Sequence, residues 1–182
     1  AHGNVIRNSV FTANIQDDVL TDSSGQNILS NSSFDRTAVN VSQAGGSMLV
    51  KYDARVRTLK GSDGSTAVSS VVTSFTDGLG TETAGGSTSS GYTNYTSLPA
   101  HTITNASNAL TTGGYNAYTV ETEALSGYTA SSTSAILSEP NQTVTIYLVS
   151  EEANAPGAPT ITALSGTTAS IGVDENSNGG TV

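Results

Sequence analysis

Ser47 to Lys60 reads SMLVKYDARVRTLK, and no other segment of the 182-residue chain keeps one periodicity for so long. Met48, Val50, Tyr52, Ala54 and Val56 alternate with Lys51, Asp53, Arg55 and Arg57. A period of two puts the apolar set on one face of a pleated strand and the charges on the other. The stretch predicts a long, half-buried β-strand at the centre of a sandwich.

Toward the C-terminus, Asp63-Gly64 reads as a chain reversal. It feeds a second strand, Thr66 to Phe75, whose Val68, Val71, Val72 and Phe75 also suit a helix face, but whose Ser, Thr and Val content favours strand. Residues 76–97 are rich in Gly, Ser and Thr and predict a long loop, of a kind that is usually functional or disordered. Within it, Tyr92 and Tyr95 are candidates for a contact surface, because tyrosine offers amphipathic area at low entropic cost. Packing of the loop by the same two rings is the alternative. Short strands are expected over 101–104, 116–125 and 132–137. A clear one follows over Gln142 to Val149, where Val144, Ile146 and Leu148 alternate with Thr143, Thr145 and Tyr147.

Toward the N-terminus, Asn4 to Ile15 holds Val5, Val10, Phe11, Ala13 and Ile15 in imperfect alternation, so its register is weakly specified. Two readings are open: an edge strand of its own domain, or an assembly arm that docks on a neighbour through Val5, Val10, Phe11 and Ile15. Ala1-His2-Gly3 fits removal of either a signal peptide or an initiator methionine.

Composition narrows the class. Serine and threonine number 54, glycine 19, and only 12% of residues are charged, which leaves few helix formers. An all-β chain is expected, an antiparallel sandwich of jelly-roll type. Cysteine is absent, so no disulfide staples it. The formal charge of −9 is unevenly placed: all six basic residues lie in the first 60 positions, and residues 61–182 carry ten acids with no Lys or Arg. Nucleic acid is therefore not an expected partner, since its binding needs clustered positive charge. No 18-residue apolar run is present to span a bilayer as a helix.

No constellation of catalytic residues stands out. His2 and His101 have no acid or cysteine at ligand spacing, and Asp17-Asp18 and Asp174-Glu175-Asn176 lack the spaced oxygen ligands of a calcium loop. There is no Gly-x-Ser-x-Gly elbow. The expectation is a non-enzymatic protein with no cofactor and no metal.

The order of a strand like Ser47–Lys60, a turn, a second strand, a Gly/Ser/Thr-rich loop and a strand like QTVTIYLV resembles the jelly-roll modules of bacteriophage tail fibres and other virion appendages, over residues 40–150. Further on, Ala155-Pro156-Gly157-Ala158-Pro159-Thr160-Ile161-Thr162, then Thr168 to Val173, then Asn178-Gly179-Gly180 is similar to the opening of a fibronectin type III domain, without the tryptophan that family usually places at the end of its second strand. A complete domain of that type needs about 90–100 residues, so either the chain continues or these strands complete a partner, and continuation is the favoured expectation.

These resemblances imply an N-terminal arm or anchoring segment over 1–40, a β-sandwich over 41–152, a Pro/Ala linker over 153–159 and the start of a second sandwich over 160–182. They imply a structural protein at a virion surface, self-associating, joined to other structural proteins of the same assembly, and able to meet a cell-surface glycan. The alternatives are a secreted subunit of a bacterial or archaeal surface filament assembled by donor-strand exchange, and a carbohydrate-binding module using Tyr92, Tyr95, Tyr115 or Tyr118 as stacking platforms.

Overall fold

A computed structural model describes residues 4–11, 19–21, 26–35, 39–41, 46–104, 110–111, 113–151, 160–163 and 169–172. Among them are fourteen strands and no helix. The chain divides into two compact units, Ala1–Val149 and Ser150–Val182.

The first unit holds β1 (Val5–Arg7), β2 (Val19–Thr21), β3 (Gln26–Ser30), β4 (Val39–Val41), β5 (Ser47–Lys60), β6 (Val72–Thr76), β7 (Glu82–Ser87), β8 (Thr96–Thr104), β9 (Leu110–Thr111), β10 (Tyr118–Thr122), β11 (Ser132–Ala135) and β12 (Gln142–Leu148). The observed bounds of β5 are those its alternation predicts. Both of its edges are paired along most of its length. On one edge β3 runs parallel to residues 47–51 and β12 runs parallel to residues 54–60. On the other, β8 runs antiparallel to residues 47–54, and that edge continues through the bridges Arg57 to Tyr92 and Leu59 to Ala67.

β1 and β9 complete this larger sheet, and a smaller antiparallel sheet in the order β11-β10-β6-β7 faces it. The fold is an all-β sandwich. Its larger sheet mixes parallel and antiparallel neighbours, a feature that alternation cannot reveal, because period two fixes which face a residue occupies and not the direction of the partner strand.

The core lies between the sheets. Met48, Val50, Tyr52, Ala54 and Val56 of β5 are buried with Leu98 and Ile103 of β8 and Val144, Ile146 and Leu148 of β12. Phe75, Tyr118 and Val120 close it from the smaller sheet, where Phe75 meets Tyr118 edge-on at 84°. Proline sits within β8, where its missing N–H would break a regular ladder. The pairing accommodates it by a bulge: Val50 opposes His101 while Lys51 opposes Pro99. The Pro99 carbonyl there accepts the Tyr118 hydroxyl at 2.6 Å, which ties the two sheets together.

The larger sheet begins as a stack of coils. β1, β3 and β5 lie side by side and parallel, while β2 and β4 form a separate parallel pair. Successive described strands thus alternate between two parallel sheets, so that each passage from β1 to β3 and from β3 to β5 is one coil of the chain.

Residues 76–97, expected as loop, contain β7, which pairs antiparallel with β6 through a bulge at Thr73/Ser74. The strand expected from Thr66 begins only at Val72, since Ser70 adopts a φ of 64°, outside extended geometry. In the second unit β13 (Thr160–Ala163) and β14 (Ala169–Gly172) pair antiparallel, with Ile161 opposite Ile171.

Candidate interaction surfaces

Two surfaces combine exposed side chains with defined geometry. The first is the solvent face of the larger sheet. Lys51, Asp53, Arg55 and Arg57 project there from β5, as alternation predicts, beside Thr143, Thr145 and Tyr147 of β12. Tyr92 is brought to them because residues 91–93 pair onto β5: Thr58 N–H donates to the Gly91 carbonyl at 2.8 Å, and Val56 N–H to Thr93 Oγ1 at 3.0 Å. Glycine suits position 91, with a φ of 79° and with any Cβ lying 2.7 Å from that of Ala67.

The Arg55 guanidinium lies 4.5 Å from the Tyr92 ring centroid and 4.9 Å from that of Tyr95, and Arg57 lies 5.4 Å from Tyr92. Such distances are those of cation–π contacts. Arg55 Nε also donates to Thr143 Oγ1 at 3.1 Å. Tyr92 and Tyr95 therefore both fasten their segment to β5 and help to form a basic, aromatic strip. The opposite face of the sandwich differs in character: Glu82, Glu121 and Glu123 surround Val72 there.

The other tyrosines considered as platforms are placed differently. Tyr115 is half-buried, and Tyr118 is buried in the core. Burial pushes the Tyr118 phenol well above its ordinary range, with the charges of Asp77 and Tyr115 adding to the effect. His101 is buried and meets Tyr52 edge-on.

The second surface is the edge of β1 turned away from β3, which has no paired strand among the described residues. Val5 and Val10 are exposed here, Phe11 packs against the core, and Ile15 lies outside the described residues. Residues 5–7 pair with β3 of their own chain, the edge-strand arrangement. The register reveals a repeat. Asn4-Val-Ile-Arg-Asn8-Ser-Val-Phe11 lies on Asn27-Ile-Leu-Ser-Asn31-Ser-Ser-Phe34 at a constant offset of 23 residues. Both Asn8 and Asn31 turn the chain in the left-handed region, with φ of 50° and 48°. Asparagine is among the few residues that tolerate it.

A third asparagine joins them. Asn141, with a φ of 57°, precedes β12, the strand that follows β3 along the edge of β5. Asn31 Nδ2 donates to Asn8 Oδ1 and to Asn141 Oδ1, each at 3.0 Å. Asn31 Oδ1 accepts from Asn141 N–H at 3.1 Å and from Asp53 N–H at 3.3 Å. The three amides form a stack along the turns, as in other ladders of aligned asparagines. The signal for this stack was present in the sequence as the paired NVIRNSVF and NILSNSSF segments, which a search for periods of 20–50 residues detects.

Among the described residues no helix is long and apolar enough to cross a membrane. No family model, curated protein or solved structure matches the chain.

Proposed function

We propose that this protein is a non-enzymatic structural module of a virion appendage, in which a repeat-built coil stack serves assembly and the sandwich is carried outward. The observation that supports this reading is the coil stack itself: a 23-residue repeat in parallel register, closed on one side by the sandwich and open at β1. Stacked repeats of this kind depend on neighbouring repeats for stability and form extended, quasi-one-dimensional bodies. The fibronectin-like sequence of the second unit belongs to the same picture, as a following β-module. Immunogold electron microscopy of virions and host cells, with antibody to the exposed strip of β5 and β12, tests the reading. Label along virion appendages is expected; label confined to cellular filaments, or absent from virions, overturns it.

The strip of Arg55, Arg57, Tyr92 and Tyr95 supports a contact with an acidic glycan as a secondary role, because it joins positive charge to aromatic surface in a chain of formal charge −9. Binding to sulfated or sialylated glycans that is lost in Arg55→Ala and weakened by salt is expected; salt-insensitive binding, or none, removes this role.

A further inference from the structure

We propose that the β1 edge is a coil-docking surface, and that its occupant is a further coil of the same asparagine repeat, supplied in series with this polypeptide and laid parallel on β1.

Three observations on the stack converge on this occupant. The first is the inward column formed by Ile6, Leu29 and Val50, which are aligned across β1, β3 and β5. Leu29 is 1% and Val50 0% exposed, whereas Ile6, at the open end, is 38% exposed. Val5 and Val10 beside it are exposed as well, at 48% and 72%. A coil laid over β1 covers the end of this column as β1 covers Leu29.

The second is the backbone. Asn4 C=O accepts from Ile28 N–H and Asn8 N–H donates to Ser30 C=O, so residues 4 and 8 face β3. In a parallel ladder successive residues direct their polar groups to opposite sides. Val5 and Arg7 therefore present N–H and C=O groups away from β3, as a template for a strand.

The third is side-chain chemistry that selects the repeat over a generic strand. Asn27 Oδ1 accepts the N–H of Asn4, one coil away, at 3.1 Å, and Asn31 Nδ2 donates to Asn8 Oδ1. Translated by one coil, these contacts ask for an N–H above Asn4 Oδ1 and an asparagine Oδ1 above Asn8 Nδ2. Those two groups have no partner among the described residues. A coil with asparagine over Asn8 satisfies both, its side-chain Oδ1 meeting Asn8 Nδ2 and a backbone N–H meeting Asn4 Oδ1. The coil chemistry is the same whether the assembly belongs to a virion or to a cell-surface filament, so it stands apart from the virion reading.

The test extends the full chain by one coil, a copy of residues 4–26 placed directly before Asn4, with Arg7→Ser in the copy to avoid stacking like charges. Amide hydrogen exchange is followed by NMR. Slowing of the Val5 and Arg7 amides by at least tenfold, with a higher urea midpoint and a monomeric mass, is the expected result. A matched extension whose two asparagines become alanine and whose inward apolar residues become serine should not slow them. Unchanged exchange at Val5 and Arg7 in the repeat extension overturns the proposal, as does equal slowing by the matched control. An unextended protein that dimerises with these two amides already protected overturns it too, since the occupant is then a second copy.

Discussion

Asn31 is the hub of the asparagine stack, and its replacement has separable consequences. Its side chain donates to Asn8 and Asn141 and accepts from the N–H groups of Asn141 and Asp53. A buried hydrogen bond contributes about 1 kcal/mol net. Three of these four are exposed and the one to Asp53 is part-buried, so the low end of the usual range, about 0.5 kcal/mol each or about 2 kcal/mol together, is the appropriate scale. Asn31 also holds a φ of 48°, where alanine incurs roughly 1 kcal/mol and glycine does not. Asn31→Gly should therefore cost about 2 kcal/mol and Asn31→Ala about 3 kcal/mol. With a urea slope of about 2 kcal/mol/M, the midpoints fall by about 1 M and about 1.5 M at unchanged slope. Urea unfolding followed by far-UV circular dichroism measures both. A loss below about 0.5 kcal/mol for Asn31→Ala would show that the stack carries no stability, and Gly and Ala variants of equal stability would remove the backbone part of the reasoning.

Three further outcomes follow from single contacts. Phe75→Ala removes a fully buried ring that meets Tyr118, and should cost about 3–5 kcal/mol in urea unfolding; a cost below about 1 kcal/mol would place Phe75 outside the core. Arg55→Ala should cost about 1 kcal/mol through its contacts to Tyr92 and Tyr95, and Arg55→Lys should restore only part of it, because the planar guanidinium is what stacks; full restoration by lysine contradicts the stacking. The side-chain hydrogen bond from Thr66 and the N–H groups of Thr66 and Ser65 hold the Asp63 carboxyl down to about 2, below its ordinary 3.8. A depressed folded value means that its contribution to stability is present above about 4 and fades as pH falls toward 2. Thr66→Val should raise the NMR titration midpoint of Asp63 toward 3.8, and an unmoved midpoint refutes the assignment.

Legibility in the sequence followed the strength of the local signal. β5 and β12 were readable because both alternate over seven residues or more, and burial follows that alternation in each. β7 was not, since Glu-Thr-Ala-Gly-Gly-Ser carries no apolar alternation. Its place depends on the bulge opposite Thr73 and on Gly85, where a Cβ would collide with Thr73 and press on Phe75. β8 was read only from His101 onward because Pro99 argues against a regular strand, and the bulge that absorbs it is a tertiary feature. At the candidate surfaces, alternation placed Arg55 and Arg57 outward and composition singled out Tyr92 and Tyr95. Their meeting depends on residues 91–93 joining the edge of β5, a long-range pairing with no local signature. The asparagine stack was encoded as a repeat, and a reading by strand periodicity alone passes over it.

β5 is the strand on which both edges of the larger sheet are built. Native-state amide exchange tests it most directly, because amides that open only with the whole domain report the global unfolding free energy. The amides of residues 48–58 should be among the slowest in the protein, with exchange free energies equal to the stability from urea unfolding, and with the paired amides of β8 and β12 close behind. Exchange of Tyr52, Ala54 and Val56 at the rate of the 61–65 turn would rule out this role for β5, since a strand that opens alone cannot hold the sheet together.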